Sequence, residues 1–166
     1  MTGVQTCALP ILARGDREPW NTLNLSYGKG TLEKVGNLDI QVAYSELTIQ
    51  ESSALQIENA YSKVFGHKAG SVTTEGEKDK YVFDAVEAFS GMLKYSVVQI
   101  GNLSQKLELE LAYTNATIEK VKADFQVIDV EAQYGNVKAG LEKGAGFSVN
   151  ATCEFGNINL PDGDLK

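Results

Sequence analysis

A chain of 166 residues with 43% hydrophobic and 22% charged residues has an ordinary single-domain composition and is long enough to bury a core. Its net charge of -7 at pH 7 argues against nucleic-acid backbones and anionic membrane surfaces, which select clustered Lys and Arg. No apolar run approaches the ~20 residues that cross a bilayer, so no transmembrane segment is expected.

The first eleven residues, MTGVQTCALPI, read as the translation of a common sequencing-library adapter, with Met1 from a GTG start codon. On that reading residues 1–11 are an artefact, 12–20 a leader of uncertain origin, 21–161 a repeat domain and 162–166 a truncated tail. Cys7 then drops out, Cys153 stands alone, and no disulfide framework is expected. Arg14-Gly15-Asp16 spells an integrin-recognition tripeptide, but its place beside the scar favours chance.

From Trp20 onward an aromatic residue followed by a small one recurs: Tyr27, Tyr44, Tyr61, Tyr95, Tyr113, Tyr134 and Phe155. The steps are 17, 17, 34, 18, 21 and 21 residues, and the double step places Lys78 at the missing anchor. A period near 20 marks a chain built by stacking one small unit on itself. Take the anchor as zero. Positions six, four and two before it and three and five after it hold 33 apolar residues in 40, for example Leu38, Ile40, Val42, Leu47 and Ile49. The interleaved positions hold only 4 in 32. Period-two alternation means strands with one buried and one wet face. The phase slips after the anchor, where Gly28, Ser45, Ser62, Asp79, Ser96, Thr114, Gly135 and Gly156 suit a bend. Each unit therefore reads as strand, corner, strand, loop.

Ordinary parallel sheets are covered on both faces and carry continuous apolar runs. Clean alternation at a fixed period instead predicts an all-β, single-domain parallel β-solenoid (β-helix) of about eight coils with 17–21-residue repeats. At ~4.8 Å per coil the rod would be about 35–40 Å long. The aromatic anchors should stack along it, with Lys78 interrupting the stack and Tyr81 and Phe83 filling the gap. The extra residues of the last units should form longer loops around Glu119–Phe125 and Gly140–Phe147, and Pro161 with Asp162-Gly163 should end the last strand. Both ends should expose bare sheet edges, prone to end-to-end self-association. An antiparallel sandwich explains the alternation but not the 17-residue period.

Units such as LDIQVAYSELTIQ, LELELAYTNATIEKV and IDVEAQYGNVKAGL resemble a bacterial family of secreted β-solenoid repeats, described as adhesins or as an auto-transporter adhesin head domain. The resemblance covers about residues 22–161. It implies a non-enzymatic adhesive module, extracellular or in the cell envelope of a bacterium, and brings no catalytic motif with it.

The outward positions before the corner collect acid: Asp39, Glu58, Glu75, Glu108, Glu110, Asp129 and Glu131. Glu108, Glu110, Asp129 and Glu131 should be neighbours on one face, either a divalent-cation or polysaccharide-cleaving patch or, by preference, a solvated self-repelling face. After the corner runs a second outward ladder, Lys29, Lys63, Lys80, Asn115, Asn136 and Asn157. Its three asparagines should stack and hydrogen-bond, or else meet sugar hydroxyls. His67, the one histidine, reads as a surface residue, and Cys153 as a buried thiol. The Thr31, Thr48 and Thr117 series is too interrupted for an ice-binding ladder, and the sequons at Asn24, Asn102, Asn115 and Asn150 are expected by accident. No catalytic residue, metal or cofactor is assigned. The expected partner is a surface ligand, glycan or protein, and the alternative is a carbohydrate-active β-helix enzyme working in an acidic cleft.

Overall fold

The computed structural model describes residues 4–6, 19–143 and 148–159. All strand pairings among the described residues are parallel, and from Trp20 onward each strand lies against its equivalent one repeat away. The chain is an all-β parallel solenoid of about eight turns, and the antiparallel sandwich is excluded. In chain order the strands are β1 (Val4–Thr6), β2 (Trp20–Ser26), β3 (Lys29–Ala43), β4 (Glu46–Ala60), β5 (Lys63–Glu77), β6 (Lys80–Lys94), β7 (Val97–Ala112), β8 (Asn115–Val121), β9 (Val127–Gln133), β10 (Asn136–Leu141), β11 (Ser148–Glu154) and β12 (Asn157–Asn159). The edge that Lys29–Thr31 was expected to leave bare is paired by the backbone of β1.

The expected loop inside each unit is absent from β3 to β7. Each of these strands wraps a whole coil, and pairing continues through Lys34↔Glu51, Val35↔Ser52 and Asn37↔Ala54, skipping only single residues between. The skipped places are bends, because exposed neighbours such as Glu33 and Lys34 follow each other there. A coil thus has three sides: a first from Lys29 to Leu32, a short second around Val35, and a third from Asn37 to Ala43. The second side adds an inward row, Val35, Ser52, Ala69, Val86, Leu103 and Val121, all at most 6% exposed.

Between the sides lies one continuous core. The inward positions read from the alternation are buried through most of the rod, with Ile40, Leu47, Val64, Phe89, Val98 and Leu107 at 0% exposure. Each such side chain contributes about 1.5–3 kcal/mol. Cys153 packs partly buried against the core. The longer loops fall at Lys122–Gln126, where Phe125 is 3% exposed, and between Leu141 and Ser148, of which 144–147 lie outside the described residues. Pro161, Asp162, Gly163, Cys7 and Arg14–Asp16 also lie outside them.

The corner rests on an unusual backbone. All eight anchors, Lys78 included, have φ between 51° and 61°, the left-handed region that bulky residues avoid. Their rings stack: Tyr27–Tyr44–Tyr61 and Tyr95–Tyr113–Tyr134–Phe155 have centroids 4.8–5.2 Å apart and planes within 10°. Stacking returns part of the strain.

The next residue completes the hydrogen bonding. The Gly28 N–H donates to Ser45 Oγ (3.0 Å), Ser45 N–H to Ser62 Oγ (3.3 Å), Ser62 N–H to Asp79 Oδ1 (2.7 Å), Asp79 N–H to Ser96 Oγ (3.1 Å) and Ser96 N–H to Thr114 Oγ1 (3.1 Å). These oxygens form a buried ladder inside the corner, satisfying amides that the sheet leaves over. It stops at Gly135, where an added Cβ would come within 2.2 Å of the Thr114 carbonyl oxygen.

Tyr81 and Phe83 do not fill the gap in the aromatic stack. Both are fully buried in the core, because the preceding coil offers glycines there. A Cβ at Gly66 would meet the Phe83 ring at 2.3 Å, and one at Gly76 would meet Asp79 Oδ2 at 2.2 Å and Tyr81 Oη at 2.8 Å. The gap is bridged by Lys78 itself, whose ammonium sits 4.8 Å over the Tyr61 ring and donates to its hydroxyl at 2.8 Å. That bond holds the Lys78 pKa above its ordinary value.

Candidate functional site

The three sides differ in charge. The third side carries Asp39, Glu58, Glu75, Glu77, Glu108, Glu110, Asp129, Glu131 and Glu154 against Lys94 and Lys106. Elsewhere on the described surface acids and lysines nearly balance, partly in ion pairs such as Lys29–Glu46 (3.1 Å), Lys34–Glu51 (3.5 Å) and Lys120–Glu142 (2.6 Å). The last of these holds the Glu142 carboxyl below its usual range.

The third side forms a shallow groove of about 1280 Å³ running along the rod, floored by small residues such as Ala43, Ala60, Gly76 and Ala112. Of the predicted acids, Glu108 pairs with Asp129 and Glu110 with Glu131 in adjacent rows, so all four come together. Two have partners. Glu108 accepts from Lys106 at 2.7 Å and Ser90 at 3.2 Å, and the Lys106 contact lowers its pKa. Asp129 accepts from Asn150 Nδ2 at 3.1 Å. Glu110 and Glu131 point to solvent as stacked like charges, a mildly destabilising arrangement.

The asparagine ladder on the first side is also assembled. Asn136 Nδ2 donates to Asn115 Oδ1 at 3.0 Å and Asn157 Nδ2 to Asn136 Oδ1 at 3.5 Å. These bonds run along the rod and use groups that a sugar would otherwise meet. His67 lies on the surface with Nδ1 at 2.5 Å from Asp84 Oδ2.

Alternation alone does not reveal the most perturbed carboxyl among the described residues. Asp79, only 4% exposed, has its pKa pushed up to about 6 by burial, against the lowering effect of the Ser62 N–H. Tyr81, which shares this pocket with Thr74 and Asn59, is pushed up by burial as well. The signal was present in the sequence: Asp replaces Ser or Gly at a corner whose anchor is Lys rather than Tyr.

No metal-binding group of three or more His, Cys, Asp or Glu occurs among the described residues. Among them no helix is long and apolar enough to cross a membrane. No protein-family model, curated protein or solved structure matches the chain.

Proposed function

We propose that this chain is a non-enzymatic β-solenoid segment of a bacterial cell-envelope or secreted protein, an adhesive or spacing module for a glycan or protein ligand. The observation that carries this reading is the third-side groove, where equivalent outward groups recur coil after coil along the axis. Repeated weak contacts on a rigid rod favour avidity over a deep pocket. The resemblance to the adhesin head-domain repeats points the same way.

The groove's electrostatics support the non-enzymatic side. Acid-catalysed glycan cleavage uses a carboxyl whose pKa is raised, beside the scissile bond. On the same side of the coil the Glu108 carboxyl is instead held low by Lys106. The raised carboxyl, Asp79, faces the core. A glycan array run beside a polysaccharide-cleavage assay tests the proposal. Retention of glycans without turnover is expected. Turnover abolished by Asp129→Asn would establish the carbohydrate-active alternative instead, and a chain that retains nothing would be a spacer.

A further inference from the structure

The outward surface breaks its own rule in one place. At the outward positions that alternate with the core, the four apolar residues, Phe65, Val82, Val97 and Met92, all lie on three consecutive coils. Three of them cluster on the first side, where Phe65 pairs with Val82 and Val97 pairs with Lys80. Val97 is 37% exposed and Met92, on the third side, 51%. Lys63 and Lys80 flank the first-side cluster, and neither has an ion-pair partner among the described residues.

Two columns can now be compared along the axis. After the corner the first side reads Lys63, Lys80, Val97; before the corner the third side reads Glu58, Glu75, Met92. Both are base-or-acid, base-or-acid, apolar, in the same order. Both also have the same spacing of ~4.8 Å, because one solenoid sets both. The match extends further. Across each corner Asn115 and Asn136 follow Glu110 and Glu131, Glu46 follows Gln41, and no such row sets like charges together. Reversing one column puts Glu46 against Glu131 and Val97 against Glu75. A one-coil slip also puts Val97 against an acid.

We infer that the first side of one copy docks on the third side of a second copy, with the two rods parallel and in register. Lys63 and Lys80 meet Glu58 and Glu75, and Val97 with its neighbours covers Met92. The contact joins two different surfaces, so it does not saturate in a two-fold pair and leaves a free face on each outer copy. Its attraction is largely between solvent-facing charges and is therefore weakened by salt.

Sedimentation of the full chain over a concentration series tests this. Association at low salt that weakens at high salt is expected. The double variants Glu58→Lys/Glu75→Lys and Lys63→Glu/Lys80→Glu should each be monomeric with unchanged circular dichroism, and an equimolar mixture of them should associate again. Register is read in a Cys7→Ser, Cys153→Ala background. A Val97→Cys chain should form disulfides with a Met92→Cys chain, and at least tenfold fewer with an Asn24→Cys chain. A wild type that stays monomeric, association untouched by either double variant (as end-to-end contact would give), or equal cross-linking yields would each overturn the inference.

Discussion

The coil that begins at Tyr61 and the coil that begins at Lys78 occupy adjacent places in the rod and fill them in opposite ways. The first is under-filled inside, with Gly66, Ala69 and Gly76 at inward positions, and regular at its corner, with a stacked tyrosine and a ladder serine. The second is over-filled inside by Tyr81, Phe83 and Phe89, and irregular at its corner, with lysine in the stack and aspartate in the ladder. Side chains of the second coil fill space that the glycines of the first leave open, so the unit that packs is the pair. The lesson is that a repeat tolerates a deviant coil when its neighbour deviates in the complementary sense.

The most severe way to break the rod is a charge in the common core. Ile40→Asp, at a position with 0% exposure, leaves a carboxylate without a partner and should unfold at least the local coils, read as loss of the main thermal transition. The deviant coil already contains a buried carboxyl, Asp79, which has the Ser62 N–H as a partner, and removing its charge should help. The folded pKa of Asp79 is about 6, above its ordinary 3.8, so Asp79 favours folding below pH 4 and costs progressively more as pH rises to 6. Asp79→Asn keeps an acceptor for the Ser62 N–H and should raise stability above pH 6 by up to about 3 kcal/mol. The gain should fade towards pH 4, as measured by denaturant unfolding at several pH values. Equal stabilisation at both ends of that range would mean that the charge is not the cause.

A smaller effect separates the ladder from the core. Ser62→Ala strips the acceptor from the buried Ser45 N–H and should cost about 1–3 kcal/mol in the same assay, with faster exchange of that amide. The smallest effect belongs to the wet face. Glu58→Lys sits between Gln41 and Glu75 and should change stability by no more than about 0.5 kcal/mol. If it exceeded the Ser62→Ala cost, the assignment of faces would be inverted.

Much of this was legible beforehand, for a physical reason. Two runs of alternation flank the anchor, and their spacing specifies parallel stacking, the ring stack and the meeting of Glu108 and Glu110 with Asp129 and Glu131. The second side was missed because it contributes one inward residue per coil, Val35 or Leu103, between two bends. A single residue cannot alternate with anything. The buried ladder was missed because Ser45, Ser62 and Thr114 suit an exposed bend equally well. Only the corner's tight winding turns their hydroxyls to the amide of the previous coil. Tyr81 and Phe83 are inward as the alternation has them, and only their assignment to the gap in the stack fails, because it takes one coil without the glycines of its neighbour.

The left-handed corner has a consequence for how such a chain can change length. One residue per coil makes this corner, and its ring and hydrogen-bond contacts reach only the coil before or after. Residues 44–60 or their equivalents therefore act as a cassette. Duplicating one lengthens the molecule by a single step and leaves both columns in phase. The Tyr61 and Lys78 coils are the exception, since copying one without the other would leave a void or a clash. Among the coils, these two must be gained or lost together.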